Sequence, residues 1–330
     1  MNKAKEKKQK VCLVVVGCGY WGKKIIRTLI ESFHNINIIC VELSDTIISE
    51  SKKIFPKIIF YKNIKEVDPM KVNGFILATP TNTHYKLASV VLKMGKPVWI
   101  EKTATCSQKN LLKIKNVSKK FNIPVFVDFT YLYDDGIRHL KDSIEKILKN
   151  EIYQIRSIRT NYGIFRNDDS VVEDLAVHDL TILRYLFNSE PIGVFASGSS
   201  LIKGKINDTS QIHLLFSQNR HAYITVSWQS PVKTRTLEII GCSGMLIYKE
   251  NDRNRQLDYY KKNHSKFVLQ KTDIIKIKKE PLQKALEEYI KSYVIKGESL
   301  KECLIEAEKN QKILDAINLS ITNFGKYITI

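Results

Sequence analysis

One short run constrains this chain more than any other. Val11–Val16 is an unbroken apolar stretch, and Gly17-Cys18-Gly19-Tyr20-Trp21-Gly22 follows it at once as G-x-G-x-x-G. A strand with no polar alternation is covered on both faces, as in a parallel sheet. Glycines at this spacing allow a tight turn (Gly17), close approach of backbone to an anion (Gly19), and close packing of the next helix on the strand (Gly22). That helix is read through Ile25, Leu29 and Ile30. Its first N–H groups and its dipole would favour a pyrophosphate, with Tyr20 and Trp21 beside it. Glu42 stands twenty residues beyond Gly22, at the end of the next predicted strand, Ile36–Val41. An acid there can take ribose hydroxyls and would repel a 2′-phosphate, and no Arg occurs between Leu43 and Glu50. The expectation is a dinucleotide site for NAD, with NADP the lesser option through Lys52 and Lys53.

From Val11 to about Asp128 short apolar strands alternate with amphipathic helices, with further strands at Gly74–Thr79, Pro97–Glu101 and Pro124–Asp128. Repeated β-α-β units of this length predict a doubly wound parallel sheet. After Tyr131 the pattern shifts to longer strands: Ile152–Tyr162, Gly193–Ile202, Gln211–Ser217, His221–Gln229, Thr234–Ile240 and Met245–Lys249. Gln218-Asn219 and Ser243-Gly244 suit hairpin turns. The fold class is therefore α/β, a Rossmann sheet followed by an α+β domain with a large, mostly antiparallel sheet. Residues 1–130 are expected to bind NAD(P), and 131–330 to bind substrate and form the oligomer. Two helices, Pro281–Lys296 and Ser299–Ile321, close the chain.

Composition narrows the function classes. With 43% hydrophobic and 26% charged residues, the 330-residue chain can bury a substantial core. Its net charge of +19 raises the question of nucleic acid. Lysines cluster at Met1–Lys10 but are otherwise dispersed, without the basic, aromatic-interleaved stripe that a nucleic-acid groove needs. A field drawing anionic small molecules is the better reading. The six cysteines form no CxxC and no zinc spacing, so no metal is expected. No segment reads as a signal or membrane span, so the expected location is cytoplasmic.

Three segments fall at carboxyl ends of strands or open a helix, where ligands bind such folds. In Ala78–His84, Thr79, Pro80 and Asn82 can meet the cofactor or simply cap a helix, and His84 can serve either the cofactor or the core. In Glu101-Lys102-Thr103, Lys102 can steady a developing oxyanion or lie solvated at the surface. In Asp174-Leu-Ala-Val-His178-Asp179, a helix beginning before Asp174 would put Asp174 and His178 on one face at i,i+4. An acid one turn from a histidine suits proton transfer; a helix-start ion pair is the alternative. Asp179 is expected to cap this helix or pair with Arg184.

Taken in order, Gly17–Gly22, Ala78–His84, Gly95–Thr103 and Asp174–His178 resemble the motifs of the Gfo/Idh/MocA family of sugar and polyol oxidoreductases. The likeness runs from about Val11 to Ile321. It implies that Lys102 polarises the reacting oxygen, His178 is the general acid/base, and Asp174 orients substrate or histidine. Glu101 and Lys102 would also border the cofactor. A narrower likeness is to a G-Y-W-G subgroup, carried by Gly19–Gly22, Thr130–Tyr133, Phe165–Asp168 and Ser227–Lys233. It implies a nucleotide-sugar substrate of surface-polysaccharide biosynthesis, with Tyr133, Arg166 and Lys233 lining its pocket, and a homodimer or homotetramer. The chain departs from the family pattern at Thr103, which replaces proline, and near the Asp174–His178 motif at Glu173, which replaces a tryptophan common in the subgroup, and Val177, which replaces proline. Rival readings on the same fold are a non-catalytic sugar- or NAD-sensing regulator and a reductase of imines or linear tetrapyrroles.

Overall fold

The computed structural model describes residues 10–163, 165, 169–202, 204, 206–251, 254–298 and 301–330. The chain forms two compact units.

The first unit comprises the described residues up to Asp128, together with Leu282–Ala307. Its sheet consists of β1 (Val11–Val16), β2 (Ile36–Val41), β3 (Ile59–Tyr61), β4 (Gly74–Leu77), β5 (Val98–Ile100) and β6 (Val125–Val127). Every pairing is parallel and the order is β3-β2-β1-β4-β5-β6. This is the doubly wound arrangement, and its order reverses between β1 and β4. Helices α1 (Tyr20–Ser32), α2 (Asp45–Ile54), α3 (Thr81–Lys93) and α4 (Gln108–Phe121) make the crossovers. Leu13, Val14, Val15, Phe75 and Ile76 are fully buried, as unbroken apolar strands require. Trp99 stacks on Phe126 at 4.5 Å, and the Tyr289 hydroxyl lies 2.8 Å from the Phe75 carbonyl oxygen. That tyrosine comes from the returning segment. A single division after residue 130 therefore leaves out 282–307, which packs with the first unit.

The second unit comprises Phe129–Pro281 and Glu308–Ile330. It contains α5 (Asp135–Leu148), β7 (Ile152–Tyr162), α6 (Val177–Phe187), β8 (Pro191–Ser199), β9 (Thr209–Phe216), β10 (Arg220–Ser227) and β11 (Gln229–Gly241). Next come β12 (Gly244–Asn251), β13 (Asn254–Asn263) and β14 (Lys266–Lys276), then α7 (Pro281–Glu288), which lies mainly in the first unit, α8 (Lys301–Thr322), which belongs to the second unit from Glu308 on, and β15 (Ile328–Thr329). Nine strands form one sheet, ordered β14-β13-β12-β11-β7-β10-β9-β8-β15. All pairs are antiparallel except β7 with β10. The expected turn at Gln218-Asn219 forms, with both residues at positive φ (60° and 53°), inside the short link between Phe216 and Arg220 that joins β9 to β10. The predicted helix Pro281–Lys296 changes character at Tyr289, where a π-helical stretch, Tyr289–Ile295, takes over from α7. Among the described residues no helix is long and apolar enough to cross a membrane.

Candidate dinucleotide and acid–base sites

In the first unit the three fingerprint glycines are demanded by three different conditions. Gly17 has φ +92°, and a Cβ there would come within 2.6 Å of the Ala78 carbonyl oxygen. A Cβ on Gly22 would lie 2.0 Å from the Gly17 carbonyl oxygen, so the helix could not close on the strand. At Gly19 a Cβ would meet nothing within 4 Å. The protein itself does not require glycine at that position, whereas a phosphate resting on the loop does. Gly19 also N-caps α1 with no side-chain cap, and the first turn of α1 holds no acid. The helix end thus keeps its positive character toward an anion. At the end of β2, Glu42 Oε2 accepts from Cys18 N at 2.8 Å and Oε1 from Ser44 N at 3.0 Å. These bonds fix the carboxylate beside the glycine turn and leave lone pairs for hydroxyl donors. The residues present therefore fit a dinucleotide.

Other expected residues fall around the same strand ends. Tyr20 is 68% exposed and Trp21 half-buried, with Lys24 Nζ 4.5 Å from the Trp21 ring. In the turn after β4, the Thr79 and Thr83 hydroxyls are 2.7 Å apart, and Pro80 and Asn82 are exposed. His84 is buried, its ring nitrogens 2.8 Å from the Thr79 carbonyl oxygen and 3.1 Å from that of Thr103. Glu101 is buried too, accepting from Trp99 Nε1 at 3.4 Å. Burial pushes its carboxyl up, against the pull of Lys102 and hydrogen bonds from Trp99 and Asp128. His84 and Glu101 are thus buried, whereas Gly19 and Asn82 are exposed and Lys102 is half-buried. The Lys102–Thr103 peptide bond, where the family carries proline, is cis.

In the second unit the Asp174 segment departs from the expected helix. Val172–Ala176 is π-helical and α6 begins only at Val177, so Asp174 and His178 are not a simple α-helical i,i+4 pair. Single π turns recur at functional sites. Ser170 and Glu173 form a capping box at its start: Val172 N donates to Ser170 Oγ, and Ser170 N donates to Glu173 Oε2. The other Glu173 oxygen accepts from Asn318 Nδ2 at 2.7 Å, so this acid anchors the turn. Val172, Leu175, Ala176, Val177 and every residue of Asp179–Arg184 are buried, whereas Asp174 and His178 are half-buried. Asp174 and His178 are thus the half-buried positions of a run, Asp174–Arg184, that is otherwise core.

Each of them rests on a residue that sequence reasoning did not single out. Trp228 Nε1 donates to Asp174 Oδ2 at 3.1 Å, and the His178 ring lies against the Tyr131 ring at 5.0 Å. The Tyr131 hydroxyl accepts from Arg159 at 2.6 Å and donates to Glu250 at 3.2 Å. Arg159 also grips Asp179 by Nε and Nη2 at 2.9 Å, and Ser157 donates to the same carboxylate. Asp179 is therefore neither a cap nor the partner of Arg184, which binds Glu190 instead. Trp228 and Tyr131 stand inside the runs Ser227–Lys233 and Thr130–Tyr133, so a signal existed. Arg159 gave none.

Of the expected pocket residues, Tyr133 has the Arg138 guanidinium 5.9 Å from its ring, and Lys233 is exposed on the register shift between Gln229 and Thr234. Arg166 lies outside the described residues. Among the described residues no group of three or more His, Cys, Asp or Glu could hold a metal ion.

A parallel nucleotide-binding sheet joined to an α+β unit with an acid–histidine helix defines a class of two-part dehydrogenase-like chains. Comparison with known proteins names the family. The model of the oxidoreductase family with an NAD-binding Rossmann fold matches residues 11–129, and that of the GFO/IDH/MocA C-terminal domain matches 145–247. The chain belongs to the GFO/IDH/MocA oxidoreductase family. It is 26% identical over 212 residues to myo-inositol 2-dehydrogenase of Thermotoga maritima, covering 58% of this chain and 61% of that protein. The chain thus spans about six-tenths of that curated relative's length. In fold it resembles GenD2 from gentamicin A biosynthesis, solved with NAD (TM-score 0.82, 16% identity, covering 100% and 99% of the two chains). It also resembles UDP-N-acetylglucosamine 3-dehydrogenase GnnA of Acidithiobacillus ferrooxidans (TM-score 0.79, 14% identity, covering 96% and 99%).

Proposed function

We propose that this chain is an NAD-dependent oxidoreductase that interconverts a secondary alcohol and a ketone on a sugar ring, the sugar being carried on a nucleotide diphosphate. The observation that carries the reading is the pair Asp174 and His178, held by Trp228 and Tyr131 at the only half-buried positions of the run Leu175–Arg184 and its Asp174 neighbour. A half-buried histidine one turn from an acid that an indole holds suits removal of a hydroxyl proton. Lys102 supplies a cation after β5, where it would steady negative charge on the reacting oxygen. Gly17, Gly19, Gly22 and Glu42 would hold the dinucleotide, whose nicotinamide supplies the hydride acceptor or donor. Glu42 supports NAD over NADP, because its anchored carboxylate would face a 2′-phosphate. The curated relative is named for inositol and one structural neighbour for a UDP-sugar. The G-Y-W-G run and the excess of lysine favour the nucleotide-linked substrate and a place in surface-polysaccharide biosynthesis. The exposed face of the nine-stranded sheet suits a homodimer or homotetramer.

The test adds NAD⁺ with UDP-sugars, TDP-sugars and myo-inositol, and keto sugars with NADH, following nicotinamide absorbance. Turnover is expected with nucleotide sugars, and NADP⁺ should substitute poorly. Lys102→Ala and His178→Ala should each lower kcat by about 10²–10⁴-fold. Turnover at the wild-type rate in both variants would remove the assigned roles, and turnover with myo-inositol alone would remove the nucleotide.

A further inference from the structure

His84 is a histidine with no surface to act on. It is 1% exposed, on the first turn of α3, and yet both its ring nitrogens are engaged. Nε2 meets the carbonyl oxygen of Thr79 at 2.8 Å, and Nδ1 meets that of Thr103 at 3.1 Å. A carbonyl oxygen only accepts, so both nitrogens must donate when both bonds are made. That form of the ring is the imidazolium.

The two acceptors belong to different strand exits. Thr79 follows β4 and Thr103 lies three residues beyond β5. Thr103 also immediately follows Lys102. On the other flank of the lysine, Glu101 N donates to Leu77 O at 3.1 Å. Glu101 and Thr103 are each 6% exposed, and the half-buried Lys102 stands between them. The lysine therefore projects from a three-residue turn whose backbone is tied to the β4 side at both ends, once by strand pairing and once by an imidazole.

We propose that His84 is a positioning residue: its doubly protonated ring clamps the β4 and β5 exits together and fixes the direction in which Lys102 presents its ammonium group. The assignment rests on the reading of Lys102 as the cation at the reacting oxygen. It assigns His84 no contact with cofactor or substrate. Orientation of a reacting group is worth orders of magnitude in rate, so a clamp one residue away from the lysine is placed to matter.

Three measurements test it. Nitrogen-15 spectra of the wild-type protein labelled at histidine, without cofactor or sugar, should show both His84 ring nitrogens carrying protons at neutral pH. Amine-reactive ester labelling read by mass spectrometry, again on the protein alone, should show Lys102 reacting at a rate changed by about threefold or more in His84→Phe, relative to Lys93 and Lys113. His84→Phe keeps the ring's bulk and loses both donors. His84→Gln keeps amide donors and should return Lys102 labelling toward wild type; if the Phe variant does not fold, His84→Gln and the wild-type spectra still decide. With substrate, kcat of His84→Phe should fall by about tenfold with KM within about threefold. A singly protonated His84, or a His84→Phe variant that labels and turns over as wild type does, overturns the clamp. Absence of turnover in the wild type with every sugar, while the spectra and labelling behave as stated, would instead overturn the proposed function and leave the clamp standing.

Discussion

At the scale of single residues, the first unit buries a titratable carboxyl where solvent is scarce. Glu101 is buried directly beside Lys102, and burial raises its carboxyl above the ordinary carboxylate range. The folded chain therefore holds a proton there that the unfolded chain gives up as pH climbs past the usual glutamate value. Between those two points the unfolded state binds fewer protons than the native one, so stability falls as pH rises. Glu101→Gln replaces the neutral carboxyl with a group of the same shape and no titration. Melting temperatures measured between pH 4 and 8 are expected to decline less steeply in the variant than in wild type. Parallel curves would mean that Glu101 is ionised in the folded protein. Gly17, Gly19, Gly22 and Glu42 were legible at this scale because each follows from a backbone or charge requirement visible in spacing. His84 was singled out with its role open between cofactor and core, because the Thr79 and Thr103 carbonyls that its ring meets are backbone atoms and leave no mark on a sequence.

At the scale of elements, α6 is bound to β7 by one buried ion pair. Arg159 and Asp179 are 5% and 0% exposed, and Ser157 completes the carboxylate's bonding. Asp179→Ala would leave a guanidinium inside the core with its principal partner gone, costing about 3–5 kcal/mol. Urea unfolding should show that loss as a lowered midpoint. Pairing Asp179→Leu with Arg159→Met should restore most of it, since a packed apolar pair is often as stable as a buried ionic one. The double variant remaining as unstable as the single one would mean that α6 depends on Arg159 for more than this bond. The pair was hidden in the sequence because Ile152, Ile155 and Ile158 in β7 recur every three residues and blur the phase of the strand. The observed alternation puts Ile155, Ser157 and Arg159 inward and leaves Ile158 38% exposed. A different cause hid β14. Lys266–Phe267 through Lys276 has no fully buried position, so hydrophobic periodicity had nothing to report, and that strand is held by its ladder with β13. The parallel sheet was legible because its strands are apolar throughout. The π turn before His178 was not, since one extra residue in a helical turn follows from local packing and capping rather than from periodicity.

At the scale of the whole molecule, the excess of positive charge is the property that neither the fold nor the acid–base residues explain. The chain carries 53 Lys and Arg against 34 Asp and Glu, for a formal charge of +19, and the lysines are dispersed along it. Such a distribution raises the local concentration of anions around the molecule without selecting among them. A nucleotide sugar carries two phosphate charges, whereas a free cyclic polyol carries none, so the two substrate classes should respond differently to salt. With NAD⁺ saturating, so that cofactor capture does not enter, kcat/KM for a nucleotide sugar is expected to fall by about tenfold as ionic strength rises from about 0.01 M to about 0.3 M. Screening shortens the reach of the field from about 30 Å to under about 8 Å over that range. For myo-inositol the same titration should leave kcat/KM flat. A flat response for the nucleotide sugar as well would show that the charge plays no part in drawing it in. The specificity of the second unit would then rest on short-range contacts alone, among them the exposed Lys233 on the β11 bulge.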